Sequence, residues 1–167
     1  MNFFFKIKKI ENLLLKRENI FFSLLILLIF ACDRFTKEKI INSFNERSYF
    51  INDFLNVELI WNIGIGFGFL STDSTFFYNI ITFLIGMVIF ALFYIIIISK
   101  YLDKFVYSII VGGALGNFYD RVIYKAVPDF IDLHYNEFHW FVFNVADIFI
   151  SLGVILLLLS GLLKKNR

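Results

Sequence analysis

The chain has 167 residues, of which 59% are hydrophobic and 18% charged, with a net charge of +2; its mean hydropathy is +0.76. So small a chain has too little interior to hide that much apolar surface, which excludes an ordinary soluble globule, a disordered chain and a collagen-like chain and leaves an integral membrane protein as the expectation. The lone Cys32 excludes an intrachain disulfide and a cysteine-based metal cluster, and the small net charge points to no nucleic-acid partner.

Roughly 20 apolar residues in a helix cross a bilayer core. The first candidate, Ile20–Cys32, is too short unless the helix runs on through Asp33 and Lys37 to about Ile41. Residues 76–98 carry no charge. Residues 105–124 carry Asp120 and Arg121 near their end, and residues 140–163 carry only Asp147. The expected fold class is therefore all-α: a single membrane domain over 1–167 with four transmembrane helices at about 20–41, 76–98, 105–124 and 140–163. Between the first two lies a small β element at about 42–70. In Phe54–Asn62, Val57, Leu59 and Trp61 alternate with Asn56 and Glu58, as a strand with two unlike faces does, and glycines follow at 64, 66 and 68. Segments 1–19, 99–104 and 164–167 hold ten of the sixteen Lys and Arg, including Lys104, so they are expected to be cytoplasmic, with both termini inside and the β element outside. An alternative reading makes Ile29-Phe-Ala-Cys32 a lipobox and the first residues a signal peptide. The three further apolar spans argue against it.

This orientation brings the polar residues of the spans to one depth, in the outer leaflet: Asp33 and Lys37, then Asn117, Asp120 and Arg121, then Asn144 and Asp147. Asp129 lies in the outer connection between the last two spans. A carboxylate inside a membrane is costly and by default functional. Asn117, Asp120 and Arg121 share a helix face, and Asn144 and Asp147 are three apart on another. Asp33 and Lys37, four apart, are expected to form a salt bridge. Gly112 and Gly116, with Gly113 beside them, permit close helix approach. Asp129 follows the only proline, Pro128, on a backbone expected to be non-helical or helix-starting.

Two carboxyl groups held together cannot both ionise easily, so a proton is shared between them. The ionised member can then activate water while the protonated one polarises a peptide carbonyl, with no metal or cofactor. Spacing alone leaves Asp33, Asp120, Asp129, Asp132 and Asp147 as candidates. His134 and His139 match no metal motif. A proton or cation path is the competing function, but it would place polar groups through the whole membrane depth, and the inner halves of the spans are apolar.

In order along the chain, Asp33-Arg-Phe-Thr-Lys37, Asn62-Ile-Gly-Ile-Gly-Phe67, Gly112-Gly-Ala-Leu-Gly-Asn-Phe-Tyr-Asp-Arg121, Val127-Pro-Asp-Phe130 and Phe143-Asn-Val-Ala-Asp147 resemble bacterial lipoprotein signal peptidase, signal peptidase II. The resemblance covers about residues 20–163. It implies an aspartyl endopeptidase of the bacterial cytoplasmic membrane, inhibited by globomycin-type cyclic peptides, with its active site near the outer face. Its partners would be membrane lipid and prolipoproteins carrying diacylglycerol on the lipobox cysteine, cut just before that cysteine. A monomer is expected. By motif, Asp129 and Asp147 would be the catalytic pair, with Asp33, Lys37, Asn62, Gly64, Asn117, Asp120, Arg121, Asn144 and Ala146 shaping or supporting the site. Ile63 stands where the family commonly has threonine and Pro128 where it commonly has valine.

Overall fold

The computed structural model describes residues 14–43, 48–64, 75–136 and 138–165. The expected glycine turns at 66 and 68, the basic residues of 1–13, Glu137 and Arg167 lie outside them. Four helices carry the apolar stretches: α1 (Arg17–Ser43), α2 (Thr75–Ile98), α3 (Tyr101–Tyr124) and α4 (Val145–Lys165). Three of them, all but α3, are long and apolar enough to cross a membrane. At 1.5 Å per residue each helix is about 30–40 Å long.

Helix α3 is the most buried of the four: protein, rather than lipid, covers much of it. It packs against each of the other three helices. A methyl group at Gly112 would lie 2.8 Å from Ile29 Cβ on α1, and one at Gly113 would lie 2.5 Å from the Ala146 carbonyl oxygen on α4. The glycines therefore set the interhelical spacing. Phe22, Ile26, Ile89, Ile96 and Val111 form the apolar core of the bundle. The connection from α2 to α3 is only Ser99–Lys100. Lys104, expected in a basic loop, is instead in the first turn of α3, where it is 3% exposed and bonds Asn19 and, at 3.7 Å, Glu18.

The β element is larger than expected. β1 (Tyr49–Asn52), β2 (Leu55–Asn62), β3 (Val127–Tyr135) and β4 (Phe138–Phe143) form one antiparallel sheet in the order β1-β2-β3-β4. Asn52 Oδ1 accepts from Phe54 N at 2.9 Å, an Asx turn that closes the first hairpin. Asn136, at φ 53, opens the second, a conformation that asparagine tolerates. Residues 140–143, expected to begin the fourth span, belong to the strand Phe138–Phe143, and α4 starts five residues after Trp140. Because β2 pairs with β3, the ends of α1 and α3 and the starts of α2 and α4 share one end of the bundle. The register sets Ile60 opposite Asp129, Trp61 opposite Pro128 and Asn62 opposite Val127. A bulge between Val57 and Ile60 shifts the alternation expected for β2. β4 pairs with β3 only from Ile131 onward, so at Pro128 the strand has a neighbour on one side alone, where proline is tolerated.

Candidate active site

The site grows from the first turn of α4. Asn144 precedes the helix; its Oδ1 accepts from Asp147 N at 3.1 Å, and its own backbone N–H donates to Asp147 Oδ2 at 3.1 Å. This is a reciprocal capping box, and it satisfies backbone donors that the first turn would otherwise leave unpaired. The Asn144 amide also reaches across to the sheet, where Nδ2 donates to Asp129 Oδ1 at 2.5 Å. One residue thus touches both Asp129 and Asp147.

Strand β3 presents Asp129, which is only 3% exposed. Its second oxygen accepts from Asn62 Nδ2 at 2.8 Å. Asn62 and Asp129 are diagonal neighbours across the β2–β3 pair, within reach of long side chains. The Asn62 amide is oriented in turn by Gly64 N, which donates to its Oδ1 at 2.8 Å. Burial pushes the Asp129 carboxyl up to about 7, and the negative charge of Asp147 adds to the effect. The hydrogen bonds from Asn62 and Asn144 and the charge of Lys37 oppose it.

Helices α3 and α1 complete the surroundings. Asn117 Nδ2 donates to Asp147 Oδ1 at 2.8 Å, while its Oδ1 accepts from Lys37 Nζ at 2.8 Å. Lys37 also meets Asp33 Oδ2 at 2.8 Å and Asp120 Oδ2 at 2.7 Å. Asp33 Oδ1 accepts from Ala146 N at 2.9 Å, which ties α1 to the start of α4. Arg121 donates through its two terminal nitrogens to the Asn117 and Gly64 carbonyls, each at 3.0 Å, joining α3 to the end of β2. Every site residue implied by the family motifs thus falls in one connected network. The Asp33–Lys37 pair expected from spacing is present, but Lys37 is shared with Asp120 and Asn117.

Asp132, a candidate on spacing alone, belongs elsewhere. It bonds His139 Nδ1 at 2.8 Å and Asn56 Nδ2 at 3.3 Å, and the His134 and His139 rings stack at 5.4 Å. Among the described residues no group of three or more His, Cys, Asp and Glu is placed to hold a metal. Arg34, given no role from sequence, forms an ion pair with Asp120. The signal was available: a second cation, three residues before Lys37, in the same apolar helix. Beside Asp147 opens an apolar groove of about 420 Å³, walled by Leu133, Trp140 and Phe143 of the sheet and Ile148, Leu152 and Ile155 of α4.

Apolar helices beneath a sheet, with a buried carboxylate centre opening on an apolar groove, define a multi-pass membrane protein with a polar site at one end of its helix bundle. The family model for signal peptidase (SPase) II matches residues 25–163, and the chain belongs to that peptidase family. It is 48% identical over 146 residues to the lipoprotein signal peptidase of Pelagibacter ubique (strain HTCC1062), covering 86% of this chain and 88% of the relative. It is 37% identical over 159 residues to that of Francisella tularensis subsp. novicida (strain U112), covering 92% and 98%. Two solved bacterial membrane enzymes share the fold. One has a TM-score of 0.73 at 34% identity, covering 87% of this chain and 89% of the other. The second has a TM-score of 0.70 at 32% identity, covering 84% and 92%.

Proposed function

We propose that this chain is an aspartyl endopeptidase of the bacterial cytoplasmic membrane. It removes the signal peptide from diacylglyceryl-modified prolipoproteins, cutting just before the lipidated cysteine. The relatives are lipoprotein signal peptidases by name, and the observation that carries the mechanism is Asn144. Its amide and backbone bond Asp129 and Asp147 at once, holding two carboxyl groups in one protein-walled site. Asp129, with its proton affinity raised to about 7, carries the shared proton near neutral pH. Asp147, which lines the groove, takes a proton from water as the oxygen attacks the scissile carbonyl, and Asp129 donates to that carbonyl oxygen. The tetrahedral intermediate then collapses: the C–N bond breaks, the proton held by Asp147 passes to the departing nitrogen, and the proton on the former carbonyl oxygen returns to Asp129 as the C=O bond re-forms.

All four helices span the bilayer in this reading, as a single domain with both termini cytoplasmic and the sheet outside. Lying two residues into α4, Asp147 is about 3 Å below the helix start, near the outer boundary. An apolar signal-peptide helix can enter sideways from lipid, and the groove beside Asp147 suits an apolar chain. Acyl chains contribute about 0.8 kcal/mol per buried CH₂. The dry core formed by Phe22, Ile26, Ile89, Ile96 and Val111 below the site suits a transport path poorly.

The test is cleavage of a lipidated prolipoprotein by the purified chain, with Asp129→Asn and Asp147→Asn as separate variants. Each variant is expected to fold and insert but to lose cleavage by about 10³-fold or more. Full activity in either one removes that acid from the pair.

A further inference from the structure

We propose that Arg34 is a positioning residue for this site, acting through Asp120 and Lys37 on the Asn117 amide; the role rests on the peptidase reading above. Arg34 touches neither Asp129 nor Asp147. Its guanidinium pairs with Asp120 Oδ1, and Lys37 takes Asp120 Oδ2. The Asp120 and Lys37 side chains have no exposed surface, whereas that of Arg34 is 15% exposed.

Lys37 donates to Asp120 and to the Asn117 carbonyl oxygen, and its ammonium forms an ion pair with Asp33 at 2.8 Å. The bond to Asn117 decides which end of that amide faces Asp147. With Oδ1 held by Lys37, only Nδ2 is left to donate to the Asp147 carboxylate. Two buried carboxylates, Asp33 and Asp120, would outweigh the single charge of Lys37, and Arg34 makes the group of four neutral. Arg121 directs its terminal nitrogens to the Asn117 and Gly64 carbonyls, and its charge bears on Asp147 and Asp129 as well as on Asp120. Without Arg34, a buried Asp120 has Lys37 as its remaining ion-pair partner in the group. Lys37 is then drawn from Asn117, and the donor aimed at Asp147 loosens.

Arg34 is itself held in place. Its guanidinium carbon lies 4.6 Å from the centre of the Tyr119 ring and 5.8 Å from that of Tyr124. Tyr124 packs edge-on against Trp61 at 5.5 Å, which continues the contact into β2.

The experiment compares wild type, Arg34→Gln, Arg34→Lys and the double variant Arg34→Gln with Asp120→Asn, as full chains in lipid, on a lipidated prolipoprotein. Arg34→Gln is expected to lower kcat by about 10- to 100-fold, with KM within about two-fold of wild type. Arg34→Lys, which keeps the charge, is expected to recover most of the loss. The double variant removes both members of the ion pair, so its kcat should exceed that of Arg34→Gln alone. If Arg34→Gln does not fold, the double variant should still fold and cleave; its failure overturns the role. An unchanged kcat in Arg34→Gln, a loss confined to KM, or no recovery in Arg34→Lys overturns the role while the peptidase reading stands. A wild-type chain that does not cleave overturns that reading, and the role with it.

Discussion

At Asn144 one side chain serves a helix end and a carboxylate together, and the two duties can be separated. Asn144→Ser keeps an oxygen that caps α4 but loses the Nδ2 donor to Asp129, whereas Asn144→Ala loses both. The expected result is a large fall in kcat for both variants. An additional loss of stability, about 1 kcal/mol, should appear in the alanine variant alone and is read from the melting temperature in detergent. Asp129 supplies a second prediction at this scale. Its folded-state pKa of about 7 lies above its ordinary 3.8, so the folded protein binds this proton more tightly than the unfolded chain. The stability this provides is complete below the ordinary pKa and is lost as pH rises through about 7. Asp129→Asn should therefore melt higher than wild type at pH 8, with the difference vanishing near pH 3; equal melting curves at pH 8 would contradict the raised value. Cleavage by the wild type should fall above about pH 7, where Asp129 loses its proton. The pairing of Asn144 with Asp147 is legible in the sequence because the two residues are three apart; that it caps a helix is not, because the apolar run continues back through 140–143. The bonds of Asn62 and Asn144 to Asp129 were not, because they join residues 67 and 15 positions apart.

Among the elements, α3 shows why a charged stretch can stand in a membrane bundle. Its polar face, Asn117, Asp120 and Arg121, is covered by α1, α4 and the end of β2, and its glycines bring the backbones close. A methyl at Gly116 would lie 2.2 Å from Asp33 Oδ2, so that carboxylate would have to move. Asp33 holds both Lys37 and the Ala146 amide. Gly116→Ala is therefore expected to cost about 1–3 kcal/mol and to reduce activity with it. On α4, Gly161→Ala meets nothing within 4 Å and should leave melting and cleavage unchanged. The shared face and the glycine spacing of α3 were legible because helical neighbours recur every three or four residues. The strands were harder to read. Residues 140–143 are as apolar as a span and read as its beginning, while 125–139 reads as a connection. What makes both of them strands is pairing with β2, a partner far away in sequence.

For the whole molecule, the sheet and the carboxylate network occupy one end of the bundle, and Asn19 with Lys104 the other. The number of long helices was legible because each is a separate, largely apolar stretch of about twenty residues or more. In the proposed reading sidedness rests on two requirements: the basic residues at the N-terminus, near Ser99–Lys100 and at the C-terminus favour the cytoplasm, and a site that cuts at a lipobox at the outer boundary would face outward. These two requirements agree, which is what makes the topology testable. In a Cys32→Ala background, single cysteines at Asp53, in the first hairpin turn, and at Ser99, in the α2–α3 connection, should differ in access. An impermeant thiol reagent applied to intact spheroplasts is expected to label Asp53→Cys at once and Ser99→Cys only after the membrane is opened. The reverse pattern would put the carboxylates on the cytoplasmic side, where an exported prolipoprotein no longer presents its cleavage site, and the peptidase mechanism would fail with the topology.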